Sequence, residues 1–127
     1  MNSPRRDSGF TLVSVMVALA ILAIGLLALA RAQAAIVASQ GNVANRTVAL
    51  TIARDYAEVL RSRNPWTLVS EAPIAVDSRG QAAANGAYRR STNVTILANN
   101  LLQVQVQVTY PRSNTPVDII TLIYRSS

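Results

Sequence analysis

The sequence predicts an α+β fold: one long N-terminal helix, apolar in its first half and amphipathic in its second, packed on a small three- to four-stranded antiparallel sheet. Three observations carry this expectation. No charged residue appears between Asp7 and Arg31. No proline stands between Pro4 and Pro65, so nothing in that span forbids one continuous helix. Residues 102–110, Leu-Gln-Val-Gln-Val-Gln-Val-Thr-Tyr, alternate strictly, which is the period of a strand with one buried face.

Taken in order, the first element is the apolar run. Of the 21 residues from Phe10 to Ala30, only Thr11, Ser14 and Gly25 are not plainly apolar. At about 1.5 Å per residue such a helix spans roughly 30 Å, the thickness of a hydrocarbon core. The chain is expected to enter a membrane at least once. Past Arg31 the pattern becomes amphipathic: Leu50, Ala53, Ala57 and Leu60 share one face, with Ile52, Tyr56 and Val59 beside it. Arg54, Asp55, Glu58, Arg61 and Ser62 fall towards the other side, at spacings that suit a solvated ion-pair face. Gly41-Asn42 is the weakest point of the helix, because both are poor helix formers. Asn64-Pro65 ends it, since a residue before proline avoids the α region.

Trp66 to Asn93 read as a loop-rich connection punctuated by Pro73, Gly80 and Gly86, with Ile74 to Val76 as a short strand. Trp66 is expected to pin this loop onto the helix. The alternating strand then buries Val104, Val106 and Val108. Residues 111–116 form a turn, and Val117 to Tyr124 return as the next strand. With Asn93 to Ala98 in front, these segments form an antiparallel meander.

Composition limits the chemistry. The 127 residues contain no His and no Cys, so the commonest bases, nucleophiles and soft-metal ligands are missing together. Glu71, Asp77 and Asp118 are scattered and lack calcium-loop spacing. Neither catalysis nor a cofactor nor a metal is expected. All 12 basic residues are Arg, against 6 acids, for a net charge of +6. A head of roughly 64 residues without disulfides is marginal alone and should borrow the helix to complete its core.

What becomes of the apolar segment depends on the residues before it. A removed secretory signal would find small-residue cleavage sites at Ala28-Leu29-Ala30 or Ala32-Gln33-Ala34. A plain anchor would use Arg5 and Arg6 to hold the leader in the cytoplasm. The run Gly9-Phe10-Thr11-Leu12-Val13, between a basic leader and an unbroken apolar helix, resembles the class III signal of type IV prepilins. Val17 to Leu27 and Ala49 to Pro65 look like the long helix of minor pilins of the PilV type, with type II secretion pseudopilins as near relatives. The resemblance implies that prepilin peptidase cuts between Gly9 and Phe10 and that Phe10 is then N-methylated. It also implies that the helix is retained, first in inner-membrane lipid and later against major and minor pilins. Segments 1–9, 10–30, 31–63 and 64–127 become leader, transmembrane half, amphipathic half and periplasmic head. The orientation is single-pass, with a cytoplasmic N-terminus.

One position departs from the family. Pilins usually carry Glu at the fifth mature residue, where the carboxylate is thought to neutralise a neighbour's terminal amine; here it is Ser14. A hydroxyl cannot neutralise an ammonium group in an apolar bundle. Two explanations stand: the chain works at a filament tip, with no neighbour above it to neutralise, or Ser14 is tolerated in a low-abundance subunit. Further functions stay open on the sequence. Arg79, Arg89, Arg90, Arg112 and Arg125 all fall in the head, and clustered cations would suit DNA phosphates in an uptake system. A minor pseudopilin of type II secretion fits the same residues, and so does a secreted soluble domain with a cleaved signal peptide.

Overall fold

The computed structural model describes Gly9 and residues 11–126. The chain forms two compact units, residues 1–39 and 40–127. Helix α1, Leu12–Ser62, runs without interruption through Gly41-Asn42, where a weak point was expected. After it come a 3-10 turn at Pro65–Thr67 and four strands: β1 Glu71–Val76, β2 Tyr88–Ala98, β3 Leu101–Thr109 and β4 Val117–Tyr124. The strands pair antiparallel in the order β1-β2-β3-β4. The long helix and the open four-stranded sheet are the α+β, pilin-like arrangement expected.

In the second unit the helix-facing side of the sheet is mostly apolar, with Thr92 and Thr121 buried among its aliphatic side chains. Leu102, Val104, Val106 and Val108 are fully buried, joined by Val76, Tyr88, Val117 and Ile123. Against them α1 places Ala49, Ile52, Ala53, Ala57 and Leu60. Ala49, Ala53 and Ala57 recur every fourth residue on one face, and their small side chains let the helix backbone come close to the sheet. The buried face is thus turned slightly from the expected one. Ala49 and Ile52 lie at its centre, Leu50 and Tyr56 at its margin, and Val59 is 45% exposed.

Strand β2 starts at Tyr88, five residues before the expected Asn93, so the connection after α1 is less loop-like than its composition suggests. Its inward positions include Arg90, which breaks the apolar alternation that would mark a strand. Trp66 does not pin the loop: it is 57% exposed and lies under the Arg125 guanidinium, 4.8 Å from the ring centre. Asn64 opens the turn that carries it, accepting the Trp66 N–H on its side-chain oxygen at 3.0 Å.

The segment between β1 and β2 folds back on β1. Ala83 N–H donates to Ala75 O at 3.1 Å, Asp77 N–H donates to Gln81 O at 2.9 Å, and Val76 bridges Ala82. Gly86 is dictated by this approach, because a Cβ there would stand 2.2 Å from Val76 O.

Candidate functional site

Helix α1 starts where it does because Thr11 caps it. The Thr11 carbonyl accepts the Val15 N–H and the Thr11 hydroxyl accepts the Ser14 N–H, both at 3.2 Å. Ser14 therefore occupies the third helical position, where a capping box would place Glu or Gln. In its stead the Ser14 and Thr11 hydroxyls share a hydrogen bond of 2.9 Å. No acid lies in the first turn, so among the described residues the Thr11 and Ser14 hydroxyls are what meets the partial positive charge of the helix N-terminus. The signal for this cap in the sequence is the Thr-x-x-Ser spacing, which the charge and hydropathy of single residues do not reveal.

Gly9 is exposed, and a Cβ built on it would meet nothing within 4 Å. No contact among the described residues calls for glycine there. Phe10, the expected site of cleavage and methylation, lies outside the described residues. Downstream, every residue from Leu12 to Ser39 is exposed, and α1 contains a stretch long and apolar enough to cross a membrane.

The five head arginines are dispersed. Arg89 and Arg90 are consecutive in β2 and so face opposite sides of the sheet. Arg90 turns inward, stacks 3.5 Å over the Tyr56 ring and donates to Gly80 O at 2.9 Å. Arg79, on the neighbouring turn, joins it at the wall of a hollow of about 350 Å³ that Asp55 also lines. Arg112 lies in the turn after β3 with φ 63°, while Arg125 follows the far end of β4. Of the five, Arg79 and Arg90 line one hollow together.

Around Tyr56 the structure assembles a group invisible to the sequence. Tyr56 OH donates to Glu71 Oε2 at 2.5 Å, Arg63 approaches Glu71 Oε1 at 3.6 Å, and Thr92 Oγ1 reaches Glu71 Oε2 at 3.5 Å. Burial, then the hydrogen bond and the negative charge of Glu71, push the Tyr56 phenol above its ordinary pKa, against a downward pull from Arg90 and Arg63. The phenol stays protonated and donating at neutral pH. The cluster ties α1 to β1 and β2.

Among known families, the one described as Prokaryotic N-terminal methylation motif matches residues 4–30. That span holds Gly9, the Thr11 cap, Ser14 and the apolar helix. No curated protein and no solved structure matches the chain. The motif is a class III prepilin signal and supports a type IV pilin-like or pseudopilin protein. It implies processing by prepilin peptidase and assembly with other pilins. Joined to a long apolar helix, it is consistent with anchoring in the inner membrane.

Proposed function

We propose that the chain is a minor pilin that acts in assembling or initiating a type IV pilus, without catalytic activity. The observation that carries this is the prepilin motif at residues 4–30 leading into a helix whose later part is covered by a sheet. Peptidase cuts before Phe10, the retained helix waits in lipid, and the head stays on the periplasmic side. Assembly then exchanges lipid for neighbouring pilin helices along Leu12 to Ala30.

Ser14 favours a place at the tip. A carboxylate in the first turn would stabilise the helix N-terminus and could pair with an adjacent amine, whereas the Ser14 hydroxyl is turned to Thr11. A terminal subunit has no such neighbour to pair with. The test is to delete the chain from its native host and label complementing protein on sheared filaments. Deletion should reduce filament number at least ten-fold, with label at filament ends. Label spread along the shaft would contradict the tip position, and unchanged filament numbers would contradict the role in assembly.

A further inference from the structure

The two edges of the sheet are finished differently. Along β1 the outer edge is closed: Pro73 interrupts it, its register slips between Glu71 and Ile74, and residues 81–83 hydrogen-bond over its end. Along β4 nothing comparable occurs among the described residues. Eight residues, Val-Asp-Ile-Ile-Thr-Leu-Ile-Tyr, run without proline or bulge, and no charge follows Asp118 until Arg125.

The hydrogen-bond phase shows which groups are left over. Arg125 N–H donates to Asn100 O at 2.8 Å, so odd-numbered residues of β4 face β3. The N–H and C=O groups of Asp118, Ile120, Leu122 and Tyr124 therefore point away from the sheet. Their side chains lie on the face opposite α1, where Ile120, Leu122 and Tyr124 are 55–63% exposed. A ladder of donors and acceptors two residues apart, flanked by an apolar row, is matched by one kind of ligand: another extended backbone.

A second copy does not close a symmetric pair here. In parallel, the outward groups of both strands sit on even-numbered residues, so the two edges mesh only one residue out of step and no two-fold axis relates them. Pairing β4 with β4 antiparallel requires a two-fold axis through the sheet. That axis would run the sheet-packed α1 segments in opposite directions, sending their residue-40 ends opposite ways. Chains inserted through the same end into one membrane do not meet like that. Stacking copies in one direction would need the β1 edge, which is closed.

We propose that the β4 edge receives an extended strand from a different pilin-like chain of the same membrane, apolar at alternate positions and basic opposite Asp118. The closed β1 edge makes the sheet contact one-sided, so it joins two unlike heads and does not propagate. The inference rests on the assembly role proposed above.

The natural chain has no Cys, which makes cysteine cross-linking clean. The full chain is co-expressed in membranes, one at a time, with each other chain of its host that carries a prepilin signal. Cysteine is placed at Ile120 or Leu122, with Ile120→Cys and Leu122→Cys tested separately, and cross-linked peptides are sequenced. Cross-links are expected to one such chain, to residues two apart in a single segment, and the backbone amides of Asp118, Ile120, Leu122 and Tyr124 should become protected from hydrogen exchange. Leu122→Pro removes an outward N–H without breaking the β3 ladder, and should cut co-purification at least ten-fold while the head stays protease-resistant. Ile120→Lys should do the same by charge. Cross-links only to a second copy, no cross-links to any of the chains, or edge variants that co-purify like the parent would overturn the proposal. The N-terminus of the same samples is determined in parallel: a mature start at Phe10 with no edge contact sinks only this inference, whereas an unprocessed chain sinks the pilin role itself.

Discussion

The two parts of α1 carry similar apolar residues to different ends. From Leu12 to Ser39 every side chain is exposed, including Leu19, Leu22, Ile24 and Leu26. From Ala49 to Leu60 the same helix buries Ala49, Ile52, Ala53, Ala57 and Leu60 against β-strands of its own chain. The difference lies in distribution more than in hydrophobicity. An all-round apolar cylinder has no polar side to give to water and must be covered by lipid or by other helices. A one-sided stripe can be satisfied at home. The contrast separates a part of the molecule whose apolar surface the chain leaves uncovered from a part that makes its own core.

Substitutions on either side of the divide put this contrast at risk. The largest effect is expected at the boundary of the first part. Gly9→Val should abolish processing, leaving at least ten-fold less mature chain on immunoblots, without altering the fold of the head. Next come core truncations in the second part. Val106→Ala or Leu60→Ala should cost about 2–4 kcal/mol in urea unfolding of the detergent-solubilised chain, because each side chain is fully buried and leaves a cavity. Leu22→Ala, in the first part, should leave that transition where it is. Equal losses at Leu22 and Leu60 would erase the distinction.

A smaller effect is expected at the Tyr56 cluster. Tyr56→Phe removes the donor to Glu71 and should cost about 1 kcal/mol. The parent should show an alkaline limb that the variant lacks. The phenol is raised in the folded state, so its contribution is intact below the unfolded value of 10.0 and is lost as pH climbs from there through the folded pKa. Stability measured from pH 8 to 12 checks the sign. Smallest is Ser14→Glu, which restores an acid to the first turn and should gain about 0.5 kcal/mol of helix stability at the N-terminus. If the tip position depends on Ser14, the same change should move label from filament ends into the shaft.

Legibility followed locality. The span from Leu12, the strand with Val104, Val106 and Val108, and the return Val117–Tyr124 were readable because period and punctuation are local properties of the chain. The true buried face of α1 was not, because it depends on how closely the sheet approaches, and Ala49 carries no hydropathic weight of its own. Arg90 hid the start of β2: it points inward, yet its charge is accommodated only by the Tyr56 ring and Gly80 O, which lie far away in sequence. The pairing of Tyr56 with Glu71 joins different elements for the same reason. Trp66 misled in the opposite direction, since a large aromatic suggests burial and here lies exposed under Arg125. At the candidate site, Gly9 and Ser14 were legible as a motif. The reason Ser14 turns to Thr11 became visible only once the helix start was fixed.

The assembly role stands or falls on whether the apolar half is kept after the leader is removed. Intact mass and N-terminal sequencing of the chain from its native membranes, with and without prepilin peptidase, decide this. A mature chain beginning at a methylated Phe10 is expected when the peptidase is present, and the uncut leader when it is absent. A chain beginning near Arg31 or Ala35 under both conditions would mean that the helix is discarded as a secretory signal, and would contradict the assembly role.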